Sequence, residues 1–491
     1  MGRLQGSADP GNIAIIHAFE LRPVVAATGN AGEMTIKLHD TRQRRKVPFE
    51  PLIEGEVTMY LCGPTVYNYA HIGNARPAVV FDLLARVLRR RYKLKFARNF
   101  TDVDDKINAA SIETGKPINE ITEKFVQIYN EDMGALGVLP PDVEPRATEH
   151  IAEMVEMIAA LVEKGFAYES SGHVLFDVEA YKDYGALSNR SLREMIAGAR
   201  VEVADYKRNA HDFVLWKPST PELPGWESPW GRGRPGWHIE CSAMAAKHLG
   251  ETIDIHAGGQ DLIFPHHENE LAQSCCAHDG KDFARYWVHN GFLSIDHEKM
   301  SKSIGNVLLV HNLVETMPGE VIRMALLSAH YRQPLDWSDD TVKSARRMLD
   351  RLYGAVRGIE VSDAARAVAE PLNSVVAALE DDLNTPKAMA EFFALAKSLN
   401  KETDENEQKK LAAEMVVTGD LLGILQSDPE AWFAGHVEGE LSAEDIEEMI
   451  ERRNAARAAK DFATADAIRD EFAAAGIQIE DGPDGTTWRR S

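Results

Sequence analysis

His266 and Glu270 stand four residues apart in the stretch FPHHENELAQSCCA, which covers residues 264–277. If this stretch is helical, both side chains leave the same face, because residues four apart lie one turn apart along a helix. An imidazole and a carboxylate on one face are half of a zinc site, and the remaining ligands would be softer groups from elsewhere in the chain. The four cysteines of the sequence are the candidates for those ligands.

Two of the four cysteines are suited to complete such a site. Cys275 and Cys276 are adjacent and lie where an amphipathic helix would bury small residues, so we interpret them as packing residues. Cys62 follows the β-like run VTMYL, and Cys241 lies in GWHIECSAM. We therefore expect one zinc site, formed by Cys62, Cys241, His266 and Glu270. Spacing alone also allows a buried pair of thiols and a helix face that carries a solvated histidine and glutamate.

The composition limits the classes of function. The chain has 491 residues, of which 44% are hydrophobic, so about three domains with buried cores are expected. Its net charge of −23 provides no basic field for nucleic acid or membrane surfaces, so any RNA contact must be local. No apolar run reaches the roughly 18 residues of a membrane span, so no membrane partner is expected. Four cysteines without paired spacing argue against disulfides, and we expect a cytoplasmic protein.

The elements that must position these residues follow a βαβ pattern. VTMYLCG (57–63) and LKFARNF (94–100) predict strands, and ARPAVVFDLLARVLRRRY (75–92) between them predicts a helix. The loop between the first strand and the helix would lie where open parallel sheets bind ligands. The basic residues from Arg86 to Arg98 indicate a solvated face at the helix C-terminus.

A second block with the same rhythm follows about a hundred residues of inserted sequence. Strands are predicted at 252–259 and 286–295, with the helix of FPHHENELAQSCCA between them. Most of 319–426 has helical periodicity, and the last fifty residues predict two helices and a hairpin around Gly-Pro-Asp-Gly. We therefore expect an α/β protein with a Rossmann-like parallel sheet that an insertion interrupts, followed by a helical bundle and a small C-terminal α/β module.

HIGN (71–74) occupies the loop after the first strand. It would present His71, the backbone at Gly73 and the side chain of Asn74 at a helix N-terminus, where phosphates bind well. By itself the motif is also compatible with an ordinary surface loop.

Two further motifs follow strands of the second block. KMSKS supplies Lys299 and Lys302 on a mobile loop between a strand and a helix, which suits the neutralisation of a triphosphate. GGQD (258–261) places Asp261 after a strand, as a candidate contact for ribose hydroxyls.

Together, in this order on two βα halves, these motifs resemble the paired HIGH and KMSKS motifs of class I aminoacyl-tRNA synthetases. Longer stretches resemble one family of that class, the cysteinyl-tRNA synthetases. These stretches are MYLCGPTVYNYAHIGN, RNFTDVDDKI, RPGWHIECSAM, DIHAGGQDLIFPHHENELAQS, KMSKSIGN, KDFATADAIRDEF and GTTWRR. The resemblance covers residues 35–490 and implies ATP-dependent activation of L-cysteine and its transfer to the 3′ end of tRNA(Cys).

The resemblance also implies which residues serve that activity. The expected zinc ligands are Cys62, Cys241, His266 and Glu270. The expected contacts of ATP and its Mg²⁺ are His71, Gly73, Asn74, Asp261 and Lys302. The expected catalytic residues are His71, Asn74, Lys299 and Lys302. The expected cysteine pocket is Gly63, Thr65, Thr101 and Trp237. For tRNA we expect contacts by stacking and charge from Trp488, Arg489 and Arg490.

The resemblance divides the chain into seven expected segments. They are an N-terminal extension outside the fold (1–33), the first half of the catalytic domain (34–134), a connective insertion (135–236), the second half of the catalytic domain (237–298), the KMSKS loop with a stem-contact region (299–335), the helical bundle (336–430) and an anticodon-binding module (440–491). We expect the protein to act as a monomer.

One position departs from the family pattern, because Asn74 stands where the second histidine of HIGH is usual. An amide nitrogen can donate roughly where an imidazole nitrogen would, so a hydrogen bond to phosphate is kept. A positive charge at this position is lost.

A zinc site suits cysteine as a substrate. Cysteine and serine differ by one atom, which a simple pocket separates poorly. A thiol, with a pKa of about 8.5, is deprotonated readily on a soft metal, whereas a hydroxyl is not. The insertion shows no second catalytic constellation, so we expect discrimination in one step at the metal.

Two alternatives remain at this point. A mycothiol-pathway ligase that joins cysteine to an amino sugar resembles this family in its ATP and zinc motifs, but should lack the C-terminal module. A non-catalytic, zinc-stabilised RNA-binding protein would carry HIGN and KMSKS without using them.

Overall fold

The computed structural model describes residues 35–190, 204–300, 305–434, 443–458, 461–474, 477–482 and 485–490. The N-terminal extension expected at 1–33 and Lys302 of KMSKS lie outside the described residues. For Lys299, Arg489 and Arg490 the structure describes the backbone.

The first part of the chain forms the expected βαβ unit, preceded by a small hairpin and followed by two helices. Its elements are β1 (Lys37–Asp40), β2 (Arg45–Pro48), β3 (Glu56–Leu61), α1 (Ile72–Arg89), β4 (Lys93–Arg98), α2 (Asp105–Thr114) and α3 (Ile118–Ala135). The run VTMYL of β3 is buried on both faces over its last residues, as strands of a parallel sheet covered by helices are. The alanines, valines and leucines of α1 are buried over most of its length, so this helix is a core element.

The inserted sequence forms a helix and an antiparallel sheet. Its elements are α4 (Ile151–Glu163), β5 (Ala167–Ser170), β6 (His173–Phe176), β7 (Phe213–Pro218) and β8 (Gly233–Pro235). The four strands lie in the order β5-β6-β7-β8. Helix α4 packs on the helices of the second block, so the insertion shares a core with it.

The second block completes the parallel sheet. Its elements are α5 (Trp237–Leu249), β9 (Ile253–Gly259), α6 (Glu268–Ala277) and β10 (Ala284–Asn290). The sheet order is β10-β9-β3-β4, and all three pairings are parallel. The chain leaves β3 toward β4 and leaves β9 toward β10, in opposite directions. The carboxyl ends of β3 and β9 therefore form the topological switch point, where ligands bind in such sheets.

The strand predicted at 286–295 is interrupted. β10 ends at Asn290, and the chain then enters a second, three-stranded sheet. Gly291 lies at the break, where a Cβ would stand 2.6 Å from the carbonyl oxygen of Gln333 and 2.7 Å from that of Arg332. The crossing of two backbones ends the strand here, which the apolar pattern of the sequence does not reveal.

The smaller sheet and the helices beside it link the parallel sheet to the bundle. The elements are β11 (Leu293–Ile295), β12 (Glu298–Lys299), α7 (Val310–Thr316), α8 (Gly319–Leu327) and β13 (Leu335–Trp337). β11 pairs antiparallel with β12 and parallel with β13. Residues 319–426 are therefore not all helical, because β13 lies among them.

The remaining chain forms a helical bundle and a small module. The bundle elements are α9 (Asp339–Val356), α10 (Asp363–Val368), α11 (Asn373–Glu380), α12 (Thr385–Leu399), α13 (Glu405–Leu422) and α14 (Pro429–Ala434). The module elements are α15 (Ala443–Ala458), α16 (Phe462–Ala474), β14 (Ile477–Gly482) and β15 (Gly485–Arg490). β14 and β15 form the expected antiparallel hairpin, and the module has its own small core.

The solvated basic face expected at the end of α1 is wrong for its arginines, although Lys93 and Lys95 are exposed. Arg86 is buried and pairs with Asp82, and Arg91 pairs with Glu380 of the bundle through two hydrogen bonds. Arg90 also faces a bundle carboxylate, that of Glu370. Arg90 and Arg91 thus contact acidic partners 280 and 289 residues away in sequence, which local periodicity cannot indicate. Among the described helices, none combines the length and apolar character of a membrane span.

Candidate active site

Four side chains converge where β3 and β9 end. The sulfur of Cys62 lies 3.7 Å from that of Cys241 and 3.3 Å from Oε1 of Glu270. The sulfur of Cys241 lies 3.7 Å from Nε2 of His266, which is 2.6 Å from the same Glu270 oxygen. Ligand atoms on one tetrahedral zinc stand roughly 3.3–3.8 Å apart, because each bond is about 2.0–2.3 Å long. Three of these four separations match that spacing, and the His266–Glu270 pair is at hydrogen-bond distance.

Each of the four residues is placed by a different local feature. Cys62 is the first residue after β3, and Cys241 lies on α5. Glu270 lies in the first turn of α6, and His266 lies in a separate five-residue turn, Ile263–His267, that leads into α6. The helix predicted from Phe264 is therefore a short turn followed by a helix, but the contact between residues four apart is kept.

A buried histidine supports the cluster from β9. His256 pairs with Tyr60 of β3 in the sheet register, and its Nε2 lies 2.5 Å from Oε2 of Glu270. It also lies 3.7 Å from the sulfur of Cys62. A partner of this kind orients a ligating carboxylate. His256, His267, Cys62 and Glu270 form a second possible ligand set, but it shares two residues with the first, so among the described residues there is one candidate centre.

Burial and mutual charge set the protonation of the cluster. Burial raises the pKa of the Cys62 thiol well above its ordinary value, whereas the hydrogen bond from Cys62 lowers the pKa of Cys241. Burial lowers the pKa of His266, but the Glu270 carboxylate raises it to about 10 overall. Burial raises the pKa of Glu270, but the charges of His266 and His256 hold it well below its usual range. Glu270 thus holds a proton on His266 in the metal-free protein, and a metal must displace that proton.

The predicted cysteine-pocket residues border this cluster. The backbone N–H of Gly63 donates to Oδ1 of Asn99 at 2.8 Å. A Cβ at Gly63 would lie 1.6 Å from the carbonyl oxygen of Asn99, so only glycine fits there. Thr65 forms an isolated parallel bridge with Thr101, which brings two of the predicted pocket residues together.

Helix α5 contains one of the remaining predicted residues, Trp237, and contacts another, Thr101. The hydroxyl of Thr101 lies 2.7 Å from Oε2 of Glu240, a buried carboxyl group whose pKa is raised well above its usual range by burial. The indole of Trp237 stacks on the imidazole of His266, with ring centres 4.1 Å apart, and is 41% exposed. Gly63 and Trp237 thus adjoin candidate metal ligands directly, whereas Thr101 and Thr65 are linked to them through Glu240, the residue before Cys241.

HIGN forms the N-terminus of α1. His71 is the N-cap residue, and its backbone N–H donates to Oδ1 of Asn74 at 3.2 Å. Because the oxygen of Asn74 binds the helix end, its NH₂ group is the part of the amide left to donate to a ligand. The backbone N–H of Ile72 and the carbonyl of Ala70 pair with Leu308 and Val310, which follow the KMSKS region.

Of the other predicted ATP contacts, Asp261 lies exposed in a turn directly after β9. Lys299 ends β12, and Lys302 lies outside the described residues, so the side chains of both lysines stay predictions from sequence. Met300 between them reaches the N-terminus of α1, because its Cε would stand 2.9 Å from a Cβ at Gly73. KMSKS therefore begins against HIGN.

Sequence reasoning missed several residues of the site. His238 lies 2.9 Å from Nδ1 of His266 through its own Nδ1, and His256, Asn99 and Glu240 make the contacts described above. The available signal was a histidine at an inward position of an otherwise apolar strand, in IDIHAGG, and a second histidine beside Trp237. Such histidines are usual partners of metal ligands.

A second candidate site lies between the bundle and the C-terminal module. A cavity of about 760 Å³ is bordered by α9, α12 and the β14–β15 hairpin. Five cationic side chains line it, together with the single acid Asp350, in a chain of net charge −23. The cations are Arg347, Arg351, Arg357, Lys397 and Lys401. The aromatic residues of its wall are Phe393, Phe433 and Trp488.

Of the three predicted tRNA contacts, Trp488 is the one whose side chain the structure describes at this cavity. Trp488 borders it but is largely buried in the core of the module, where its indole N–H donates to Glu447 at 2.7 Å. Arg489 and Arg490 continue β15, and their side chains are not described. The sequence missed the five bundle cations because they lie on two helices and in the turn after each helix rather than in one run.

Three family models match the chain. Residues 48–347 match the tRNA synthetases class I (C) catalytic domain, 374–426 the DALR domain, and 440–489 the cysteinyl-tRNA ligase anticodon binding domain. The last match disfavours the amino-sugar ligase alternative, for which no such module was expected.

Curated relatives agree with these matches. The chain is 60% identical over 468 residues to the cysteine–tRNA ligase of Parvibaculum lavamentivorans. The alignment covers 93% of this chain and 98% of that protein. It is 58% identical over 461 residues to the cysteine–tRNA ligase of Rhodospirillum rubrum, over 93% of this chain and all of that protein.

Solved structures share the fold at low identity. Methionyl-tRNA synthetase of Mycobacterium tuberculosis, in complex with methionyl-adenylate, is 17% identical with a TM-score of 0.55, over 80% of this chain and 96% of that one. A LeuRS of Agrobacterium radiobacter K84, in a ternary complex with tRNA, is 12% identical with a TM-score of 0.55, over 78% of this chain and 87% of that one. The catalytic and anticodon-binding matches and the near full-length identity agree, and the chain belongs to the cysteine–tRNA ligase family of class I aminoacyl-tRNA synthetases.

Proposed function

We propose that Cys62, Cys241, His266 and Glu270 hold one zinc ion per chain, and that this ion selects the thiol of L-cysteine. The observation that carries the proposal is the convergence of these four side chains at the switch point, beside HIGN and GGQD. Two thiols, an imidazole and a carboxylate suit zinc better than the all-oxygen sets that magnesium or calcium prefer. When bound, zinc supplies a soft Lewis acid that favours a thiolate over the hydroxyl of serine.

The surrounding residues would orient the amino acid. Gly63 lets the chain after Cys62 pass directly against the backbone of Asn99, which fixes the edge of the pocket, and Trp237 covers His266 from the solvent side. Thr101 is held by Glu240 and lies next to Thr65, so its hydroxyl has a fixed position for a contact with the polar end of cysteine. A preorganised pocket of this kind avoids the cost of ordering side chains during reaction.

As in its family, the enzyme activates cysteine with ATP and transfers it to tRNA. A carboxylate oxygen of cysteine bonds to the α-phosphorus as the bond to pyrophosphate breaks, and a ribose hydroxyl of the tRNA 3′ end then attacks the carbonyl as AMP leaves. We propose that the N-terminus of α1 and the amide of Asn74 donate to the phosphates, with Lys299 and Lys302 stabilising the departing pyrophosphate. Mg²⁺ carried by ATP supplies further charge neutralisation.

We propose further that the basic cavity holds nucleotides of the anticodon loop. Cationic side chains beside aromatic rings are the usual means of holding unstacked RNA bases and their phosphates. Arg351 lies over the ring of Phe393, and Arg357 lies over Phe433. All five cations come from the bundle, so tRNA recognition would depend on the bundle as well as on the module. We also propose a cytoplasmic location, since all four cysteines are free thiols, which suits a reducing compartment. The expectation that the protein acts as a monomer stays a prediction from the sequence.

The zinc assignment is tested by metal content. We expect about one zinc per chain in the wild type and in Cys276→Ala, a matched control that removes a buried thiol outside the cluster. Cys241→Ala should lose most of its zinc and its cysteine-dependent exchange of pyrophosphate into ATP. A wild-type enzyme that is active without zinc, or a Cys241→Ala variant with full zinc content, would contradict the proposal.

The anticodon assignment is tested by charge reversal. Lys397→Glu and Arg351→Glu should weaken tRNA binding and reduce the salt dependence of the affinity by about one counterion each, while pyrophosphate exchange stays at the wild-type rate. Lys409→Glu, on the exposed surface of α13 outside the cavity, is the matched control. Equal effects at all three positions would assign the affinity to general charge rather than to the cavity.

A further inference from the structure

Arg76 is a fully buried arginine in the second turn of α1, five residues after His71. Its two terminal nitrogens donate to four backbone carbonyls. Nη1 donates to Gly291 at 2.7 Å and to Phe292 at 2.5 Å. Nη2 donates to Gln333 at 2.6 Å and to Tyr331 at 3.3 Å. Burial lowers the pKa of Arg76 to about 10, so the side chain stays charged at neutral pH.

Burial of a cation at the position of Arg76 is unfavourable for the stability of the fold, which indicates a functional reason for the arginine. Among the described residues, no carboxylate forms an ion pair with it, whereas the equally buried Arg323 pairs with Asp82. A positive charge near a helix N-terminus is also opposed by the helix dipole. Burying an unpaired charge is costly, and four carbonyl acceptors compensate only in part. A leucine or methionine would fill the space without that cost.

The four carbonyls belong to the two segments that start the small sheet. Gly291 and Phe292 lead into β11, while Tyr331 and Gln333 lead into β13. β11 pairs with both β12 and β13, so Arg76 binds the whole three-stranded sheet at the point where two of its strands begin. β12 ends with Lys299, the first residue of KMSKS.

The far end of the same sheet returns to α1. Met300, directly after β12, packs at Gly73, three residues before Arg76. The sheet in which KMSKS begins is thus fixed to α1 by Arg76 at one end. At the other end it contacts HIGN through Met300.

We propose that Arg76 is a positioning residue for adenylate formation. Its four hydrogen bonds fix the β12-β11-β13 sheet on α1, so that Lys299 is presented at the N-terminal end of the helix that carries His71 and Asn74. This inference rests on the proposed roles of HIGN and KMSKS, and it adds a residue that touches neither substrate. A guanidinium suits the task because its planar donors span two separate pairs of carbonyls, which a methylene chain or an ammonium cannot do.

The proposal is tested by separating the two half-reactions. Arg76→Lys keeps the charge but not the planar donors, and Arg76→Met removes both. In both variants we expect single-turnover adenylate formation to slow by about 10–100-fold, the scale for a small misplacement of reacting groups. The KM for cysteine and the zinc content should stay near wild type. Transfer from preformed enzyme-bound adenylate to tRNA should keep a near wild-type rate, because pyrophosphate has already left.

Two further variants guard against a simple folding defect. Gly291→Ala places a methyl group against the carbonyls of Arg332 and Gln333, so it disturbs the same crossing while Arg76 remains, and should slow adenylation selectively. Arg86→Lys is the matched control, since Arg86 is also buried on α1 and donates to the backbone carbonyls of Gly137 and Asp420. It should lower the melting temperature without selective loss of adenylation.

Hydrogen exchange of peptides that cover β11 and β12 gives a readout besides activity. We expect faster exchange there in the Arg76 variants and not in Arg86→Lys. Adenylation and transfer that fall together, in proportion to the folded fraction, would reduce Arg76 to a packing residue. A wild-type rate in Arg76→Lys would assign the role to charge alone and overturn the positioning role. If the proposed function itself were wrong, the result would differ from both of these outcomes. The wild-type protein would then show no cysteine-dependent pyrophosphate exchange.

Discussion

Nε2 of His256, on β9, and Oε2 of Glu270, on α6, lie 2.5 Å apart in the protein interior. Their separation in sequence does not by itself indicate this contact. We expect His256→Ala to lower zinc affinity by about 10–100-fold, because the carboxylate of Glu270 loses the partner that orients it. Competition with a chelator measures this affinity. His278→Ala, at the C-terminal end of the same helix as Glu270, should bind zinc like the wild type. Equal affinity in His256→Ala would mean that the histidine serves packing only.

The selection of cysteine by the metal predicts a spectroscopic change. Replacement of zinc by Co²⁺ should give a visible spectrum, because cobalt accepts the same tetrahedral ligands. The sulfur-to-metal charge-transfer band should grow when cysteine is added and stay unchanged with serine. A cobalt enzyme that activates cysteine without any change in this band would leave the metal with a structural role.

Lys302→Ala should slow adenylate formation by roughly 10²-fold or more, the scale for the loss of one preorganised charge contact. This expectation comes from the sequence motif, and cysteine binding should be preserved. Pre-steady-state measurement of adenylate formation checks it. Adenylation at wild-type speed in the variant would remove Lys302 from the catalytic set.

Removal of the C-terminal module should preserve adenylate formation and abolish efficient tRNA charging. The truncation is best placed after Ala434, because Trp432 of α14 stacks on Tyr353 of the bundle with ring centres 4.3 Å apart and should be kept. Cysteine-dependent pyrophosphate exchange shows that the shortened protein is folded. Unchanged catalytic efficiency of tRNA charging in that protein would refute the anticodon role of the module.

Asp82 predicts a pH dependence of stability. Burial raises the pKa of this carboxyl group, but Arg86 and Arg323 hold it below its usual value. A depressed pKa contributes stability that is present above the unfolded value of about 3.9 and is lost as the pH falls through the folded value. Asp82→Asn should therefore cost about 3–5 kcal/mol at pH 7, since it leaves two buried arginines without their carboxylate.

Denaturant unfolding from pH 7 down to pH 3 measures this difference. The gap between wild type and Asp82→Asn should stay constant down to about pH 5 and shrink below about pH 4. Asp381→Asn is a suitable control, because Asp381 forms a half-exposed ion pair with Lys46. A gap that persists at pH 3 would show that the substitution acts through packing instead of charge.

The sequence predicts most of what depends on local pattern. Strands β3, β4 and β9, helix α1 and the β14–β15 hairpin follow from apolar periodicity and turn residues, and His266 with Glu270 follows from helical spacing. What it could not predict depends on backbone crossings and distant partners. Gly291 ends β10 because residues 332–333 cross there, and Arg91 is bound by a carboxylate of the bundle. Arg76 and the cations of the basic cavity were missed for the same reason, since each acquires its role from a segment far away in sequence. His256 was missed although Glu270 is only 14 residues away, because their contact depends on how α6 packs on β9.

The division of the parallel sheet between two blocks has a consequence for synthesis. Cys62 comes from the first block, whereas Cys241, His266 and Glu270 come from the second, and 208 residues separate Cys62 from Glu270. At the usual translation rate of about 5–20 residues per second, Cys62 waits roughly 10–40 seconds before its last partner is made. During that interval the nascent chain contains β3 without its neighbour β9. The thiol of Cys62 is then not covered by any of its three partner ligands. Brief alkylation of ribosome-bound nascent chains should therefore label Cys62 in chains that end before Glu270. In finished chains Cys62 should not be labelled. The insertion thus sets a delay between the making of a metal-binding thiol and its protection.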